Sequence, residues 1–197
     1  MLKYYIKLVG VCRKHPIKQS LFHPSIQIFS THLYTSNALV IIYKPKIYHM
    51  EKINFSIDIN APKEKVWNVL WNDDSYRKWT SPFAEGCYAK TDNWKEGSKV
   101  LFLGPGGDGG MVSKVASNKK NEFMSFEHLG VVKDGIEDTE SDSAKGWAGA
   151  RENYRLTDNN GKTKLAVDMD STDEFKDYFL KTWPVALEKV KELSEKN

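Results

Sequence analysis

Two cysteines in 197 residues, Cys12 and Cys87, are too few for a disulfide framework or a thiolate metal cluster, and a reducing, cytoplasmic environment is the default expectation. Long apolar runs are missing too. The longest, Ala38 to Tyr43, is about six residues where a membrane span needs roughly 20. Histidine is scarce after residue 49, where His128 stands alone. Acidic residues are absent from 1–49, which hold seven Lys or Arg, while the remainder carries 22 basic against 26 acidic side chains. The net charge of +3 therefore conceals a break in composition just before Met50.

That break suggests two parts that do not share a folding unit. Residues 1–49 have the sign of a targeting peptide but one Arg and no amphipathic period. An anchor fails on length, and the scattered basic residues do not form a patch for nucleic acid or acidic lipid. The expectation is that Met50 is the natural start and that 1–49 is a non-domain extension, disordered or spurious. Residues 50–197 then form one domain, and a 12% aromatic content across the chain is ample for its core.

What is present is organised around a long helix from Asp173 to Leu193, whose Phe175, Phe179, Trp183, Leu187 and Val190 recur at helical spacing. Ser171 and Glu174 have the spacing of a capping box, which starts the helix at about Thr172. Pro184 interrupts the stripe without shifting its phase, so a bend is expected, not an end. Ile53, Phe55, Ile57 and Ile59 alternate as one face of a strand. Two short helices follow, one opened by Pro62 and one capped by Asp73 and Asp74. Six further period-two segments cover 86–92, 99–103, 111–117, 122–132, 149–156 and 164–170, joined by turn residues. The fold class is thus α+β, a curved seven-stranded antiparallel sheet around a long C-terminal helix, with two short helices after the first strand.

The order and spacing of several segments resemble a known family. These are Ala61-Pro62-Lys63-Glu64-Lys65-Val66-Trp67, Trp94-Lys95-Glu96-Gly97-Ser98, Glu127-His128-Leu129-Gly130, Asp134-Gly135, Trp147-Ala148-Gly149, Glu152-Asn153-Tyr154 and Tyr178-Phe179 through Trp183-Pro184. Together they resemble the SRPBCC superfamily, the START-like and pollen-allergen-like helix-grip fold, and within it the branch named after the activator of the heat-shock protein 90 ATPase. The resemblance spans 50–197. It implies a helix-grip domain with an internal apolar cavity.

The remaining features are weighed against that frame. Gly104 to Gly109 matches GxGxxG by letter, but the residues after it read as a strand, so a hairpin tip is expected, with a cavity lid as the secondary reading. The acidic residues from Asp134 to Asp142 lack the order of a calcium loop and read as a solvated segment. Glu152 shares a face with Tyr154 and Leu156, where a carboxylate is paired or has a raised pKa. His128 follows Met124 and Phe126 inward as a hydrogen-bonded strand residue or an acid or base. The expected function is binding of a lipid-like or aromatic small molecule between the sheet and the last helix. Trp79, Phe102, Phe126, Phe175, Phe179 and Trp183 are the candidate apolar contacts, with His128, Glu152 and Tyr154 as the polar ones. A chaperone-associated interaction domain is the alternative, and a cyclase-like or hydratase-like enzyme a further one. No catalytic residue, metal, cofactor, nucleic-acid partner or membrane span is expected.

Overall fold

The structure, a computed structural model, describes residues 49–196. The expectation for the 1–49 extension falls, apart from His49, outside those residues. Strand β1 (Met50–Ile59) is followed by helices α1 (Lys63–Trp71) and α2 (Asp73–Trp79). Four strands come next: β2 (Tyr88–Lys90), β3 (Lys99–Leu103), β4 (Gly109–Lys119) and β5 (Phe123–Lys133). The short strand β6 (Ile136–Asp138) and a one-turn helix α3 (Asp142–Lys145) lead to β7 (Arg151–Asn159), β8 (Lys162–Thr172) and α4 (Asp173–Glu195).

All strand pairs are antiparallel, in the order β1-β8-β7-β5-β4-β3-β2. These are the seven strands that the alternation predicts. An eighth, β6, pairs with the end of β5 that β7 does not reach. Neither β6 nor α3 was legible, because three residues inside an acidic segment carry no measurable period. Gly130 makes the β6 pairing possible, since a Cβ there would lie 2.2 Å from the Asp138 carbonyl oxygen.

The glycine-rich stretch is the turn between β3 and β4, as the strand after it requires, and no helix opens there. Gly110, at the start of β4, has no room for a side chain, because an added Cβ would sit 2.1 Å from the Phe102 carbonyl oxygen. Strand β4 then carries two register shifts against β5, at Val112/Ser113 and Val115/Ser117. Such bulges bend a strand and increase its twist.

Both expected caps need correction. Asn72, not Asp73 or Asp74, caps α2, its side-chain oxygen accepting from the Asp74 amide at 3.1 Å. The Ser171–Glu174 box does not form. Ser171 is still paired in β8, is fully buried, and donates its hydroxyl to the Thr172 carbonyl, while the Thr172 N-cap makes no side-chain bond. A strand that feeds directly into a helix holds its last side chains in the sheet, where they cannot turn back to the helix end.

Helix α4 buries the expected stripe of Phe175, Phe179, Trp183, Leu187 and Val190, and it is continuous through Pro184. Pro184 lies on the exposed side with Leu180, whose carbonyl loses its donor where solvent can reach it. Each large side chain placed in the core contributes about 1.5–3 kcal/mol.

Candidate functional site

Tyr88 of β2, Phe102 of β3, Met111 of β4, His128 of β5, Glu152 of β7 and Met169 of β8 all reach one cavity, together with Phe179 and Trp183 of α4. Six neighbouring strands at about 4.8 Å spacing span roughly 24 Å when flat. Side chains from all six meet only if the sheet is concave around the helix. Helix α2 adds Tyr76 and Trp79 to the lining. The loop after it contributes Phe83, which is tied to α4 where the Tyr178 hydroxyl donates to the Phe83 carbonyl at 2.9 Å.

The free space there is about 120 Å³. It is close to the roughly 150 Å³ of an apolar cavity that takes up benzene, and well below the roughly 300–1,000 Å³ of drug-sized sites. The reason is ring-on-ring packing. Trp183 stacks on Phe55 at 5.7 Å between centroids and meets Phe83 edge-on at 5.1 Å, with Tyr154 at 6.0 Å. Its Nε1 donates to Met169 Sδ at 2.9 Å.

The polar wall comes from strand register. Glu152 lies opposite Phe126 on one side and Met169 on the other, which sets it on the inward face with Tyr154. The bulge at Val112/Ser113 brings Ser113 opposite His128, and Ser113 Oγ lies 2.8 Å from His128 Nδ1. The other ring nitrogen, Nε2, is 3.8 Å from Glu152 Oε2, while the Tyr154 hydroxyl donates to Glu152 Oε1.

Burial dominates the titration of these groups. It pushes the Glu152 carboxyl up to about 7, and the Tyr154 hydrogen bond offsets only part of that. It pulls His128 down to about 4, partly countered by the charge of Asp170. Tyr154 and Tyr76 are raised well above the ordinary phenol range, first by burial and then by Glu152. Cys87 at the cavity wall is pushed up to about 11 by burial and stays a neutral thiol.

No family model matches the sequence, and no curated protein does. Solved structures do match. The Aha1 dimer from Colwellia psychrerythraea aligns at TM-score 0.55 and 22% identity, over 74% of this chain and 96% of that one. Protein MLL2253 from Mesorhizobium loti aligns at TM-score 0.53 and 18% identity, over 73% and 96%. CalU16 from Micromonospora echinospora aligns at 0.52 and 14%, over 74% and 77%.

The fold is the helix grip. Structurally the chain matches the Aha1 dimer, MLL2253 and CalU16, and at these identities the match concerns the fold alone.

Within this helix grip, Trp79, Phe102, His128, Glu152, Tyr154, Phe179 and Trp183 line the cavity. Phe126 and Phe175 do not. Phe126 faces inward but is covered completely, packed edge-on against Phe102 at 5.0 Å and Trp71 at 5.4 Å. Phe175 sits a turn before Phe179, against Trp147 at 5.7 Å. Phe83 lines the cavity as well, and so do Tyr76 and Met169, which are not among the candidates read from the sequence. For Met169 the signal was available, since it alternates with Leu165 and Val167.

Ser113, His128 and Glu152 invite comparison with a nucleophile–base–acid triad. The geometry does not permit that chemistry for a cavity ligand, because Ser113 is fully buried and does not line the cavity, whereas Glu152 does. Ser113 instead orients the imidazole. Among the described residues, no group of three or more His, Cys, Asp or Glu is placed to hold a metal ion. No helix among them is long and apolar enough to cross a membrane.

Proposed function

We propose that the domain binds a compact small molecule, apolar or aromatic over most of its surface, between the sheet and α4, with its polar end at Glu152, Tyr154 and His128. The observation that carries this reading is a hollow of about 120 Å³, walled by aromatic rings, that still exposes a carboxyl group to its interior. A core evolved for packing alone gains nothing from a buried carboxyl, whose desolvation costs several kcal/mol.

The interaction alternative has less to support it. In the acidic segment the Glu137 carboxylate pairs with Lys99 at 2.8 Å, and Asp138 accepts from the Glu140 and Ser141 amides at 3.0 Å. These groups are used within the fold itself. A cyclase-like or hydratase-like reading needs a polar acid–base dyad at the cavity, and the residues there that bear on it are His128 and Glu152, with Nε2 3.8 Å from Oε2 and no hydrogen bond between them.

Native mass spectrometry of the purified protein is expected to find a small adduct that is lost on denaturation. Phe179→Ala, which breaches the apolar wall, is expected to lower its retention by roughly 10-fold or more, about 1.4 kcal/mol, whereas Leu180→Ala on the exposed face of the same helix leaves it unchanged. Equal retention by the two variants would place the ligand elsewhere.

A further inference from the structure

We propose that the occupant is a small organic cation, a quaternary or tertiary ammonium group caged by the aromatic rings and paired with Glu152. This deepens the reading of the cavity as a ligand site and rests on it.

Three observations converge. First, the wall is aromatic to a degree that plain apolar ligands do not require, with Tyr76, Trp79, Phe102, Tyr154, Phe179 and Trp183 around one compact space. Ring faces carry negative potential and attract cations, and aromatic cages of this kind recognise methylated ammonium groups. Second, the lining contains no Lys or Arg, and its one carboxyl group is Glu152. An anionic ligand would meet repulsion there, whereas a cation gives the ionised carboxyl its counter-charge. Third, the carboxyl is only half satisfied. Oε1 accepts from Tyr154, but Oε2 has His128 Nε2 at 3.8 Å, too far for a hydrogen bond. A cation in the hollow supplies what that oxygen lacks.

The groups facing Glu152 from the surrounding elements do not supply it. They are His128 on β5, Tyr154 on β7, Tyr76 on α2, Tyr88 on β2 and Cys87 just before β2, while α4 presents Phe179 and Trp183. On β8, Asp170 adds a further negative charge nearby and is itself paired with Lys52 at 3.2 Å on the outer side. His128 is held neutral, so none of these is a cation at pH 7.

The carboxyl titrates at about 7 when uncompensated, so a bound cation draws it into the ionised form and releases a proton. Affinity for a cation therefore rises as pH increases through that value.

The test compares choline with its uncharged isostere 3,3-dimethylbutan-1-ol, each titrated into the wild-type protein and followed by tryptophan fluorescence. At pH 8 choline is expected to bind roughly 10-fold more tightly than the alcohol, and to lose the Glu152-dependent part of that advantage by pH 6. In Glu152→Gln, whose shape is unchanged, the advantage of choline falls to what the rings alone provide and no longer changes with pH. If the alcohol binds as well as choline to the wild type at pH 8, the cation assignment is overturned while the cavity remains a binding site. If neither binds, the cation assignment falls together with the reading it rests on.

Discussion

Between about pH 4.5 and 6.5 the unfolding free energy of Glu152→Gln is expected to rise with pH and that of His128→Gln to fall, while the wild type stays nearly level. The folded Glu152 carboxyl titrates at about 7 against 4.5 for an exposed one. Over that interval the folded state holds a proton that the unfolded state has released. Stability from this group is complete below pH 4.5 and is lost as pH rises through 7. His128 behaves in the opposite sense, at about 4 when folded against 6.5 when exposed. Its burial is costless above pH 6.5 and becomes a penalty as pH falls toward 4. Each shift corresponds to roughly 3 kcal/mol, and in the wild type the two oppose each other. Each substitution removes one limb and exposes the other. Urea unfolding of the three proteins across this range gives the comparison directly, since surface groups titrate alike in all three. Parallel curves would mean that neither side chain is desolvated as described.

Trp183→Ala is expected to cost about 3–5 kcal/mol, a large share of the roughly 5–15 kcal/mol that a domain of this kind holds in total. Trp183 is 2% exposed. It connects β1 through Phe55, the loop after α2 through Phe83, and β8 through its bond to Met169, so truncation loosens every layer at once. The denaturation midpoint is expected to fall at an unchanged slope, which assigns the loss to the folded state. Leu180→Ala, 43% exposed on the same helix, is expected to change stability by less than about 0.5 kcal/mol. A loss below about 1 kcal/mol at Trp183 would show that the helix is held by other contacts.

The fold was legible because its signals are long. Strand β1 alternates from Lys52 to Ile59 and α4 repeats its stripe from Phe175 to Val190, and in both cases pattern and burial agree. What the sequence concealed was short or depended on register. Strand β6 exists because Gly130 lets another backbone approach β5, which no periodicity reveals. The Ser113–His128 contact depends on the bulge at Val112/Ser113, and simple alternation does not locate bulges. The capping box failed for a related reason, because Ser171 answers to the sheet before it answers to the helix.

The candidate site divides along the same line. Glu152 and Tyr154 were readable as inward-facing, since they alternate on one strand, and His128 followed from Met124 and Phe126. Phe126 faces the same way but is sealed under Phe102 and Trp71. Alternation gives the face of a residue. Whether a neighbour covers it depends on side chains from distant parts of the chain.

The most direct test of the central claim is a crystal structure of the protein soaked with phenol. The ring is expected between Trp79, Phe179 and Trp183, with its hydroxyl directed to Glu152 and the surrounding side chains unmoved. A closed interior, or phenol bound only on the outer surface, would contradict it.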